Sequence, residues 1–149
     1  MTHPYYDSIL LIERLHRHFL EVVKVDLDKN GVQDINNVQA LILYNLGEDE
    51  MTIGELTARG YYLGTNVSYN VKKMLEADYL VLERSPHDRR SVRVKLSEKG
   101  LKLHAQLHSY FEKQITQLGE AQLGAEEITK MIESLKKMER FWTSIINYS

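Results

Sequence analysis

The chain has 149 residues, of which 43% are hydrophobic and 27% charged, with a net charge of −2 and no cysteine. That balance fits one globular domain with a core of its own, and it excludes disulfides, thiol switches and thiolate metal sites. Neither an 18-residue apolar run nor a basic-then-apolar N-terminus occurs, so the expectation is a cytoplasmic protein with no membrane partner.

The first predicted element is a long helix over residues 5–27. Ile9, Ile12, His16, Phe19, Leu20 and Val23 form one stripe, and Leu11, Leu15, Val22 and Val25 add a second flank. Apolar residues around so much of the circumference imply burial from two sides, by the rest of the chain and by a partner chain. Asp28-Lys29-Asn30-Gly31 ends this helix, with Gly31 able to take a left-handed stop. Asn36 or Asn37 then caps a helix carrying Val38, Leu41, Ile42 and Leu46, and Gly47 closes it.

Met51-Thr52-Ile53 fits a short strand, while Thr52 with Glu55 three residues on also has capping-box spacing. A short helix follows from Ile53 to Arg59, broken by Gly60, with Tyr61-Tyr62-Leu63 as a turn. Val67, Val71, Met74 and Leu75 then mark a longer helix from Gly64 at a 3.6-residue period. Its other face carries Thr65, Asn66, Ser68, Tyr69, Asn70, Lys72 and Lys73, with no acid before Glu76. Short helix, tight turn and longer polar-faced helix make up the helix-turn-helix pattern.

After Asp78 the period becomes two. Leu80 and Leu82 alternate with Val81 and Glu83, and Val92, Val94 and Leu96 alternate with Arg93 and Lys95, so two half-buried strands follow. The turn between them, Ser85-Pro86-His87-Asp88-Arg89-Arg90, puts two adjacent guanidiniums at an exposed tip. Ser97 caps the next helix, striped by Leu103, Leu107, Tyr110, Phe111, Gln114 and Leu118. The pattern breaks over Gly119 to Gly124. The last helix, about 125–147, places Ile128, Met131, Leu135, Met138, Trp142 and Ile145 on an a/d seam that needs cover from a second chain.

Charge is unevenly distributed along the chain. Residues 1–63 hold five basic and ten acidic groups, residues 64–99 eight and five, and residues 100–149 six of each. The positive excess thus coincides with the polar helix and the cationic tip. Asn pairs bidentately with adenine in the major groove, and hydroxyls or lysines hold phosphate. On these grounds Thr65, Asn66, Ser68, Tyr69 and Asn70 are expected to reach base edges, and Lys72 and Lys73 to hold phosphate. Arg84 and His87 are expected on the backbone. One of Arg89 and Arg90 is expected in the minor groove, the other pairing with Asp88 to stiffen the tip.

Asp88-Arg89-Arg90, followed by Val92, Val94 and Leu96-Ser97-Glu98-Lys99-Gly100, resembles the wing signature of the MarR family of bacterial transcription regulators. Asn37-Val38-Gln39-Ala40-Leu41 is similar to the start of that family's second helix, and the layout matches from end to end. The GTNVSYNVKK helix and SPHDRR wing also resemble an alphaproteobacterial, LdtR-like subgroup tied to cell-wall remodelling. Asp78 departs from the pattern, standing where the family usually has Gly. The expected fold is mainly α with a small β-wing in a single MarR-like domain, 1–149. A winged helix-turn-helix lobe spans 33–99, and 1–30 and 100–149 form a helical dimerisation region.

The resemblance implies a homodimer on a pseudopalindromic DNA duplex and a pocket for a small aromatic or phenolic effector. The matching wall is His16, Phe19, Leu20, Val23, Ile42, Leu63, His104, Leu107 and Phe111, a set that periodicity assigns equally well to plain core. His104 and His108, at i and i+4 with His16 and His18 on the first helix, have a spacing that suits zinc, but no clear third ligand accompanies them. A zinc-responsive regulator is therefore one alternative, and an adaptor that binds protein instead of DNA is another. No metal or cofactor is expected. Without a GxSxG, P-loop or GxGxxG motif, or any cysteine, an enzyme is not expected either.

Overall fold

Capping and helix-stop chemistry set the element boundaries in the computed structural model, which describes residues 2–60, 64–84 and 92–148. The order is α1 (Pro4–Lys29), α2 (Asn37–Leu46), α3 (Ile53–Gly60), α4 (Gly64–Glu76), β1 (Leu80–Arg84), β2 (Val92–Leu96), α5 (Glu98–Glu120) and α6 (Ala125–Tyr148). Of the two candidate caps of α2, Asn36 is the one used. Its Oδ1 accepts from the Gln39 amide at 2.8 Å, and Gln39 Oε1 accepts from the Asn36 amide at 3.1 Å, which closes a capping box. Thr52 and Glu55 form the same reciprocal pair at the start of α3. The alternative use of Met51–Ile53 as a third strand shrinks to one bridge, Met51 to Val94, because Thr52 already commits its backbone to the helix.

Helix ends follow a common device. Gly31 takes φ +69°, while Val32 donates to Leu27 and Gly31 to Asp28, both across the end of α1. Asp78 does the same at the end of α4 with φ 65°, Tyr79 donating to Met74 and Asp78 to Leu75. The left-handed turn is therefore made without glycine, at a local steric cost.

The wing strands pair antiparallel, with Leu80 opposite Leu96, Leu82 opposite Val94 and Arg84 opposite Val92. Leu80, Val94 and Leu96 are buried, but Leu82 is 53% exposed. The expected alternation therefore fails at Leu82, although Val94 opposite it is buried: β2 lies between β1 and the Met51 bridge, which leaves β1 as the outer strand.

Contacts divide the chain into residues 1–108 and 109–149. The first unit holds the core, with Ile42, Leu43 and Leu46 of α2, Leu56 of α3 and Val67, Val71 and Met74 of α4 all buried. Asp26 of α1, itself buried, accepts hydrogen bonds from Asn30 and from Gln106 of α5. Much of α1 is uncovered in the single chain: Leu10, Leu11, Leu15 and Val25 are exposed, and only Val23, Asp26 and Leu27 are buried. In the second unit, α6 buries no residue at all. Among the described residues no helix is long and apolar enough to cross a membrane.

Candidate nucleic-acid interface

The helix-turn-helix is α3 and α4, whose connection at Tyr61–Leu63 lies outside the described residues. Val67, Val71 and Met74 anchor α4 in the core and so turn its opposite face outward. Asn66, Ser68, Tyr69, Lys72 and Lys73 are all exposed on it. Tyr69 is 61% exposed, and the Lys73 ammonium lies 5.7 Å from its ring centroid, a cation–π spacing that restrains both side chains. Lys73 also sits 3.6 Å from Glu76. The side chain of Thr65 falls outside the described set.

Asn70 differs from its neighbours on α4. It is half-buried, its Nδ2 donates to the Asn66 carbonyl at 2.8 Å, and its Oδ1 accepts from Gln39 Nε2 at 3.1 Å. Each end of its amide thus has a partner, Gln39 on α2 and the Asn66 carbonyl on its own helix. Gln39 is itself buried, 7% exposed, and belongs to the α2 capping box.

Arg84 is exposed at the outer end of β1. His87, Asp88, Arg89 and Arg90 lie outside the described residues. At the base of the wing Lys95 is held by Glu83 at 2.5 Å and Glu50 at 3.9 Å, so this cation is locally balanced. The Glu83 hydrogen bond and charge hold its ammonium above the ordinary lysine range.

A second cluster fastens the exit of α4 to the start of α5. Lys99 Nζ donates to Asp34 Oδ2 at 2.6 Å and to the Ala77 carbonyl at 2.8 Å, and lies 4.4 Å from the Tyr79 ring centroid. Tyr79 donates its phenol proton to Asp34 Oδ1, and Ser97 Oγ donates to the Asp78 carbonyl at 2.6 Å. Burial works to raise the Asp34 carboxyl, but the hydrogen bonds from Lys99 and Tyr79 and the Lys99 charge outweigh it, so the group sits below the usual range. Burial, then the Asp34 bond and charge, push the Tyr79 phenol well up. The Ser-Glu-Lys-Gly segment after the wing therefore acts as a clasp on the recognition helix. Lys99 and Gly100 were visible in the sequence as part of a motif, but nothing nearby in the sequence pointed to Asp34 as their partner. Gln39 had a signal in its spacing from Asn36, though not for its bond to Asn70.

The residues of the expected effector wall differ in burial. Val23, Ile42 and Leu107 are fully buried in the core, Phe19 and His16 are exposed, and Leu63 lies outside the described residues. Phe111 belongs to the second unit. A cleft of about 290 Å³ beside α1 is lined by Arg14, Arg17, His18, Leu20, Glu21 and Asn37, taking only Leu20 from that wall. The two helical histidines both meet Tyr44: His104 stacks on its ring at 4.7 Å, and His108 Nδ1 lies 3.2 Å from its hydroxyl. Among the described residues no three His, Cys, Asp or Glu side chains gather closely enough to hold a metal ion.

Comparison with known proteins agrees with this geometry. A family model for the winged helix DNA-binding domain matches residues 35–100, from the α2 cap to the clasp. The exopolysaccharide II synthesis transcriptional activator ExpG of Rhizobium meliloti (strain 1021) is 33% identical over 144 residues, covering 97% of this chain and 74% of that protein. AbsC, a MarR family transcriptional regulator from Streptomyces coelicolor, superimposes with a TM-score of 0.75 at 19% identity over 97% of each chain. BpsR of Bordetella bronchiseptica, whose DNA binding is regulated by 6-hydroxynicotinic acid, gives 0.71 at 19% identity over 89% of this chain and 98% of its own. With the helix-turn-helix, the wing ribbon and the flanking long helices all in place, the chain belongs to the MarR family and is a DNA-binding transcription regulator of that type.

Proposed function

We propose that the chain acts as a homodimer on a pseudopalindromic duplex, with its two copies of α4 in successive major grooves about 10 bp apart. The observation that carries this is the state of α6. A 24-residue helix with no buried residue, and with Met131, Ile132, Leu135, Phe141, Ile145 and Ile146 exposed, has an apolar face that one chain leaves in water. The exposed apolar flank of α1 adds to it. A second copy is the partner that covers equivalent faces by symmetry.

On DNA, Asn66, Ser68 and Tyr69 with Thr65 read bases, Lys72, Lys73 and Arg84 hold phosphate, and His87, Arg89 and Arg90 carry the wing to the neighbouring groove. A small aromatic or phenolic acid acts as effector, by binding more tightly to a lobe spacing that mismatches the grooves. The likeness to BpsR supports that part. The cleft beside α1 offers such an acid the Arg14 and Arg17 guanidiniums, the latter paired with Glu13 at 2.9 Å, next to Leu20 and Glu21. Sedimentation equilibrium tests the assembly. A dimer is expected, dissociated by Leu135→Glu with Ile145→Glu, and a monomer that still binds duplex as a single copy overturns the proposal.

A further inference from the structure

Gln39 touches two things at once. Its Oε1 accepts from the Asn36 amide at 3.1 Å, which fixes the orientation of the side-chain amide. The opposite end, Nε2, therefore points as a donor across the gap between α2 and α4 and meets Asn70 Oδ1 at 3.1 Å. That bond fixes Asn70 in turn, whose Nδ2 closes onto the Asn66 carbonyl at 2.8 Å within α4. The chain of bonds runs from a helix cap, through a buried amide, to the backbone of the residue that leads the exposed face.

We propose that Gln39 is the positioning residue that sets the rotation of α4 about its own axis, acting through Asn70, and so decides which side chains face the bases. The apolar contacts of Val67, Val71 and Met74 hold α4 in place, but apolar contact is non-directional and tolerates small rotations. A hydrogen bond does not. Side-chain atoms lie roughly 5–6 Å from a helix axis, so a rotation of about 15° moves them by about 1.5 Å. That exceeds the spread of about 0.5 Å in which an amide hydrogen bond keeps its geometry. Asn66 and Lys73 lie on the same side of α4 as Asn70, four and three residues away, and Tyr69, the adjacent residue about 100° round the helix, turns with them. Asn70 looks like an adenine reader by residue type, but it serves as the link. The inference rests on α4 being the base-reading element.

The test is a random-sequence duplex selection on the purified full chain and its variants, with far-UV circular dichroism and thermal unfolding alongside. Gln39→Glu keeps the acceptor that closes the α2 cap and replaces only the donor facing Asn70. Gln39→Leu removes both functions and serves if the first variant folds poorly. The expected result is a selected-to-random affinity ratio lowered about tenfold, as for the loss of one base-pair contact, with an altered base preference. Helix content and the slope of log affinity against log salt should stay as in the parent, since phosphate contacts are retained. The negative charge that Gln39→Glu adds weakens all duplexes alike and so leaves the ratio unaffected. Asn66→Ala and Tyr69→Phe are run as controls. If they change the preference and neither Gln39 variant does, the role given to Gln39 is wrong although α4 still reads. If the controls change nothing, α4 is not the reader and the inference falls with that reading. Relaxation of a single base position by Asn70→Ala, with Gln39→Glu silent, makes Asn70 a direct reader and also overturns it.

Discussion

Gly100 lies so close to the backbone carbonyl of Tyr79 that a Cβ on it would overlap that oxygen, and the same Cβ would come within 3.2 Å of Leu96 Cβ. A hydrogen is all the space admits there. The first turn of α5 packs directly on the strand entry that follows the recognition helix, and this close approach is why the helix start carries glycine. Gly100→Ala is expected to destabilise the chain by about 1–3 kcal/mol, as overpacking does. It should also weaken duplex binding more than the stability loss alone accounts for, because α5 and the exit of α4 must separate. Urea unfolding with anisotropy titration on the same samples checks both.

Asp34 gives the clasp a pH dependence. A carboxyl whose folded value is lowered binds protons more weakly folded than unfolded, so its stabilisation is present above the unfolded value and is lost as pH falls through the folded one. The parent is therefore expected to lose stability below about pH 4 more steeply than Asp34→Asn or Lys99→Met. Urea midpoints across the acid range measure this, and parallel curves for all three proteins would contradict it.

Asp78 holds a left-handed backbone at φ 65° without being glycine. Asp78→Gly relieves that strain and leaves the carbonyl that accepts from Ser97 in place. A gain of about 1 kcal/mol is expected, read as a rise in Tm of about 2–4 °C.

Leu107 separates packed core from ligand pocket. It is 0% exposed and was among the residues expected to line an effector site. As core, Leu107→Ala is expected to cost about 2–5 kcal/mol in urea unfolding. A cost well below that range would indicate that the side chain borders an open cavity.

Lys72 and Lys73 separate affinity from base reading. Lys72→Ala and Lys73→Ala are each expected to lower the slope of log affinity against log salt by about 1, with the selected base preference intact. A changed preference with an unchanged slope would make either one a base reader.

The sequence alone determined the order of helices and strands, which depends mostly on near neighbours. The 3.6-residue stripe of Val67, Val71 and Met74 and the period-two wing strands are local patterns, and amphipathicity acts over a few residues. The sequence left the α2 cap between Asn36 and Asn37, and Thr52 between strand and cap. Tertiary structure decided what depends on distant partners. Asn70 is by type a base reader, and its bond with Gln39, 31 positions away, is nowhere visible in its own neighbourhood of the sequence. Lys99 is by type a solvated cation, and only Asp34, 65 positions away, makes it a clasp. Leu82 alternates like a core residue, yet β1 is the outer strand of the ribbon, so Leu82 is exposed while Val94 opposite it is buried. A side chain's type records what it is able to bond with, while the packing of helices and strands brings one partner within reach and leaves the others out of it.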